Sequence, residues 1–273
     1  MKVPPPYGTP LRELLGSEVT VGVVQFAMRT TAQGLLEGQS HRLIRDRIRV
    51  ELLGHLHAAQ SQILEATSDH ASLVVETAQA FQRAIVRLTD HEGVQFVQRA
   101  SERASSWEHR ADQIVSATRS GAGHRGGEEA LAGQLATEDD AIDAIEEALF
   151  QLTLVSAEHF PVIRSVLEPL ATVAAAAAQE NLKAVEVARL VLDEARPDDI
   201  EDFLLAIDRV VELEHNADRA DRAARAALIV EAPDFRTLQV ANDISRAIED
   251  ATDALMRSAL QLRDRILAEV ITR

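Results

Sequence analysis

The chain has 273 residues, 46% of them hydrophobic, with 28 basic against 44 acidic residues and a formal net charge of −16. That balance opposes nucleic-acid binding through phosphates and favours cations or basic partner surfaces, and the lack of cysteine in the sequence excludes disulfides, thiolate metal sites and thiol catalysis. Glycine (12), proline (8) and aromatic residues (3%) are sparse while Ala, Leu, Arg, Glu and Asp dominate, so the expected class is all-α.

Residues 1–64 read as an N-terminal extension that is partly helical. Its start, MKVPPPYGTPLREL, is proline-rich and lacks the apolar centre of a secretory signal. No run reaches the roughly 18 apolar residues of a membrane span: residues 19–28 are too short, and residues 170–178 are an alanine tract between Glu168 and Glu180. The expected location is the cytoplasm. Residues 11–38 mix Leu14, Val21, Val24 and Phe26 with Gly16, Gly22, Gly34 and Gly38, a weak helix signal. Arg42, Arg45, Arg47 and Arg49 form the one basic cluster. With Asp46 and Glu51 beside it, the cluster has the pattern of a solvated helix face, the competing reading being a docking site for acidic lipid or partner. His55 and His57 are two apart and face opposite sides of a helix, which argues against a shared metal.

From residue 65 the chain reads as two triplets of helices, 65–159 and 160–273. In the first, residues 72–88 place Leu73, Val74, Phe81, Ala84 and Ile85 at helical spacing. Thr89 and Glu92 form a capping-box pattern before a helix through Trp107 to Arg119, and SGAGHRGG at 120–127 is a loop. A third helix carries Asp139 to Asp143 and is expected to continue through Val155. In the second triplet an alanine-rich helix is expected from about Pro169 to Ala195, stopped at Arg196-Pro197. Asp198 and Asp199 then start a helix over 198–230, and the last runs from near Phe235 to the end.

The triplets share a signature. Glu108-His109-Arg110-Ala111-Asp112 and Glu214-His215-Asn216-Ala217-Asp218 agree at four of five positions, and Asp139-Asp140-Ala141-Ile142-Asp143 corresponds to Glu249-Asp250-Ala251-Thr252-Asp253. Acidic residues four apart share a helix face, where like charges cost roughly 0.2–0.5 kcal/mol per pair. Spacing alone decides little, because the sequence holds nine such pairs against about seven expected by chance. Recurrence of the same acids beside the same alanines carries the weight.

An acidic Glu-x-x-x-Asp on the second helix of a triplet, an acidic cluster on the third and tandem duplication resemble the PhoU family, most of all the accessory proteins of Pit-type phosphate transporters. The resemblance covers about residues 65–270. It implies a tandem pair of antiparallel three-helix bundles and a regulator of phosphate transport that is not an enzyme. Its location would be cytoplasmic, at most peripheral to the inner face of the membrane. The implied partners are a phosphate transporter or a signalling protein beside it, with the direction of regulation and the oligomeric state, homo-oligomer included, left open. The implied metal ligands are Glu108, Asp112, Asp139, Asp140 and Asp143, then Glu214, Asp218, Glu249, Asp250 and Asp253.

Carboxylates from neighbouring helices supply the oxygen ligands preferred by hard cations such as Mg²⁺, Ca²⁺, Mn²⁺ or iron, and an ion would cancel their repulsion. The competing reading pairs these acids at the surface with Arg110, Arg219, Arg222 or Arg246, each pair worth little. His109 and His215 are expected to be partly buried beside the sites, the alternative being that either leans in as a nitrogen ligand. A ferritin-like di-metal protein needs two Glu-x-x-His pairs; Glu212 and His215 supply one, but Ser106 stands at the matching place. A purely structural helical adaptor, using the first 60 or so residues, is the remaining alternative.

Overall fold

The computed structural model of the protein describes residues 10, 12, 17–89, 91–121 and 126–272, with the side chains of 53, 56–59, 91, 121, 126–128 and 272 outside the described set. Among the described residues all regular structure is helical. The helices are α1 (Ser17–Leu36), α2 (His41–Val86), α3 (His91–Gly121), α4 (Gly126–Leu152), α5 (Phe160–Asp193), α6 (Pro197–Glu231) and α7 (Phe235–Thr272), with a 3-10 turn at Ala157–His159.

The helix ends follow from local chemistry. Gly38, at φ 68°, lets α1 close with Gln39 N–H donating to Gly34 O at 2.8 Å and Gly38 N–H to Leu35 O at 3.2 Å, the paired bonds of a glycine-ended helix. Ser40 then caps α2 by accepting from Leu43 N–H at 3.3 Å. Pro197 opens α6, with Asp198 and Asp199 in its first turn, where the missing proline donor costs nothing and negative charge is favoured. Asp234 caps α7 by accepting from Thr237 N–H at 2.7 Å. That backbone bond is the main reason its carboxyl is held below the usual range.

Several boundaries differ from the sequence expectation. Helix α2 is continuous across residues 64 and 65, so part of the expected extension is the front of a core helix. Helix α4 stops at Leu152, short of Val155, where Thr153 and Leu154 turn back on Phe150 and Gln151. Helix α5 begins at Phe160, with Pro161 in its first turn, and carries Pro169 inside it. The proline expected to start the helix is accommodated because α5 is buried along most of its length and its packing outweighs one lost backbone bond. Residues 122–125 of the glycine loop and most of the leader lie outside the described residues.

Helices α2, α3 and α4 pack on one another, as do α5, α6 and α7, and the two groups meet through α2 against α5 and α4 against α7. One hydrophobic cluster runs through all six. In α5 the alanines at 171, 174, 175, 177, 178, 184 and 188 are buried, which lets neighbouring helices approach closely. The stretch Ala157–Asp193 is long and apolar enough to cross a membrane by composition, and half of its most apolar window is buried inside the protein.

Candidate functional site

The alanines of the two signatures set the position of their acids. Ala111, Ala217, Ala141 and Ala251 are each fully buried at 0% exposure, so the motif helices are pinned with that side inward and the neighbouring carboxylates stand at the rim. Glu108 and Glu214 are half-buried, as are Asp139 and Glu249, while Asp140 and Asp250 are exposed. Asp112 and Asp143 are more open than their counterparts Asp218 and Asp253.

The structure brings each set together. Desolvation raises the pKa of Glu108, and so do the charges of Asp112 on its own helix and Asp139 on α4, while His109 acts the other way. Asp143 keeps a solvent-facing side, yet desolvation and then the charges of Asp139, Glu108, Asp112 and Asp140 push it up from 3.8 to about 6. Five carboxylates from α3 and α4 therefore repel one another across the helix seam. In the second set desolvation raises Glu214, followed by Asp253 and Asp218 against a lowering by His215. Glu249 is raised by desolvation and then by Asp250, Asp221, Asp253 and Asp218.

Two further acids belong to these sets and were not selected from sequence. Glu146 is raised by burial and by Glu108 and Glu147. It lies three residues after Asp143, one turn along the same face, and that spacing could have found it. Asp221 is 4% exposed and accepts from Ser245 Oγ at 2.8 Å and Arg225 Nε at 2.9 Å; its place three residues after Asp218 is the same signal.

The countercharges are fewer than expected. Arg222 meets Asp218 at 2.8 Å, whereas Arg219 donates to Asn216. The larger role falls to Arg257, which meets Asp253 at 3.3 Å and Asp140 at 3.9 Å. One guanidinium thus stands between the two sets, a pairing across helices that no local pattern could reveal. His109 and His215 are exposed, not partly buried. His109 lines a surface groove with Asp112, Gln113, Ser116, Arg119 and Asp139. Glu212 and His215 also face solvent, with side chains 62% and 69% exposed, so they cannot be the inward-facing Glu-x-x-His pair of a di-metal bundle core.

The most constrained polar group is His70, fully buried on α2. Its Nε2 lies 2.9 Å from Asp139 Oδ1 and its Nδ1 3.2 Å from Glu138 Oε1. Burial by itself would lower its pKa, but the hydrogen bonds and charges of Asp139 and Glu138 prevail and raise it to about 9. The ring is therefore an imidazolium donating from both nitrogens. Glu138, itself at 0% exposure, also accepts from Gln134 Nε2 at 3.1 Å, and that nitrogen lies 2.7 Å from Ser258 Oγ on α7. Leu64, Thr67, His70, Val74, Thr77 and Phe81 share a helical stripe, so a histidine on an otherwise uncharged stripe was the legible signal.

Neither the protein-family models nor the curated proteins contain a match to this chain.

The donor set suits a hard cation in kind, since every candidate ligand is a carboxylate. Glu214 Oε2 is buried with no hydrogen-bond partner; His215 Nε2 lies 3.6 Å away. Among the described residues no three His, Asp or Glu side chains are already closed around one metal-sized point. The carboxylates form two crowded rims, and ion binding would require their side chains to turn inward by rotamer changes.

Proposed function

We propose that this protein is a PhoU-like, non-enzymatic regulator of phosphate transport, built as a tandem pair of antiparallel three-helix bundles, α2–α4 and α5–α7. Each half holds hard metal ions through its paired acidic motifs. The single observation that carries the reading is mutual carboxylate crowding at matched places in both halves: Glu108, Asp112, Asp139, Asp140 and Asp143 in one, Glu214, Asp218, Glu249, Asp250 and Asp253 in the other. Carboxylates held at that density destabilise the fold unless a cation offsets them. The transporter or its signalling partner enters through the sequence resemblance, and the expected place is the cytoplasmic face of the membrane.

The test is thermal unfolding of wild type and the Asp112→Asn/Asp218→Asn variant, each with chelator and with added Mg²⁺, Mn²⁺ or Fe²⁺. A ligand at 100 times its dissociation constant adds about 2.7 kcal/mol. Wild type should gain melting temperature with metal and the variant should lose most of that gain. Equal melting under all conditions would leave the acids as a solvated face and favour the helical-adaptor reading.

A further inference from the structure

The front of the molecule is a two-helix arm. Helix α1 packs against α2, and between Ile44 and Ile63 no described residue of α2 is fully buried. Those residues extend roughly 30 Å at 1.5 Å per residue. On α1 Val23 and Gly34 are buried, and a Cβ added at Gly34 would meet the side chain of Ile44 on α2. A second apolar line, Val21 (57% exposed), Val24 (44%), Met28 (69%) and Leu35 (53%), faces solvent. Its spacing of three, four and seven residues keeps the line on one side, roughly 120° around α1 from the buried one.

Arginines border that line. Arg45 and Arg49 lie roughly 100–140° around α2 from Ile44. Because the tight turn at Gly38 makes the two helices antiparallel, rotations in the chain's own sense bring the α1 line and the Arg45 side of α2 to the same broad face. Arg42 and Arg45 have side chains 85% and 72% exposed, and both share the single acid Asp46. Residues 17–62 hold five basic and four acidic residues, whereas the rest of the chain holds 23 and 40.

We propose that this arm docks on a bilayer surface rich in anionic phospholipid, with Val21, Val24, Met28 and Leu35 entering the interfacial region and Arg45 and Arg49 against the headgroups. Charge selects this occupant. A second copy would set two arginine-bordered faces against each other, and an uncharged surface would make no use of the arginines. The strongly acidic body would be repelled by the same lipid. An arm lying flat on that face carries the body beside the contact and not beneath it, and at physiological salt the repulsion fades beyond roughly 8 Å. None of this depends on the carboxylate rims.

The experiment is vesicle co-sedimentation of the full chain, with melting temperatures taken on the same samples. Wild type should sediment with phosphatidylglycerol-containing vesicles, release at high salt, and stay in the supernatant with pure phosphatidylcholine. Met28→Glu should abolish binding without lowering the melting temperature, since its side chain touches solvent. Arg45→Gln and Arg49→Gln should each weaken binding about fivefold, from about 1 kcal/mol per arginine at an anionic surface. Failure to sediment with anionic vesicles, or equal binding to both lipids, overturns the proposal. So does a wild-type dimer that Met28→Glu returns to monomer without any lipid binding, because a second copy would then own the face.

Discussion

Replacing His70 by alanine tests the most tightly determined contact in the molecule. The imidazolium is fully buried and holds two carboxylates, Glu138 at 3.2 Å and Asp139 at 2.9 Å. Removing it leaves Glu138 charged at 0% exposure with only the neutral donors Gln134 and Ser258, a loss of the kind that costs about 3–5 kcal/mol. The pH dependence gives a second, independent magnitude. A histidine of pKa about 6.5 unfolded and about 9 folded adds stability that is complete below about pH 6.5 and disappears as pH rises through 9. The span corresponds to on the order of 3 kcal/mol. Urea unfolding followed by circular dichroism at about pH 6.5 and about pH 9.5 measures both. Wild type should lose stability on going to the higher pH, and His70→Ala should be destabilised at the lower pH and nearly insensitive to the change. A wild type equally stable at both pH values, or a His70→Ala variant within about 0.5 kcal/mol of it, would refute the buried ion-pair assignment.

Other consequences are open to the same instruments. Asp143→Asn should stabilise the metal-free protein at neutral pH by about 0.2–0.5 kcal/mol per relieved like-charge neighbour, read as a higher melting temperature. Because Asp143 titrates near 6 when folded, above its ordinary 3.8, its contribution is present below about pH 4 and lost as pH rises through 6. A fall in metal-free stability over that range should therefore be shallower in the asparagine variant. Gly93→Ala should destabilise by about 1–3 kcal/mol, since a Cβ there would meet the Arg87 carbonyl oxygen at 2.5 Å. Gly22→Ala, with nothing within 4 Å, should stabilise by about 0.5–1 kcal/mol, both read by urea midpoints.

Much of the helical layout was legible because its signals are local. The proline at 197 with two aspartates behind it and the glycine-rich stretch near 120–127 each act within one turn, and the observed ends fall within a few residues of them. Pro169 signalled a start and lies mid-helix, because tertiary packing overrides single-residue propensity. Residues 41–64, read as part of a partly helical extension, continue without a break into the core part of α2. The acids were legible as a recurring pattern, but their convergence across helices was not. Arg257 reaches an acid on α4 as well as one on its own helix, and His70 finds Glu138 and Asp139 across the α2–α4 contact.

That contrast between rim and interior bears on how the two halves would work. The carboxylates of the two signatures correspond in sequence, yet the groups behind them differ. Behind Asp139 stands the imidazolium of His70, tied through Glu138 and Gln134 to Ser258 of α7. In the second half, 110 residues on, Glu138 is replaced by Ile248, and the buried acid is instead Asp221, neutralised along its own helix by Arg225. Asp139 is therefore oriented by a buried cation, whereas Glu214 has a carboxylate oxygen with no hydrogen-bond partner. An arriving cation would compete with the fully buried His70 for Asp139, whereas the partners in the second rim, His215, Arg222 and Arg257, have side chains 69%, 74% and 50% exposed that can swing away. On this asymmetry the second rim should take the ion first. In metal titrations read by thermal shift, Glu214→Gln should therefore weaken the response at the lowest metal concentrations, and Asp139→Asn only at higher ones. The reverse order would show that the buried imidazolium does not govern affinity.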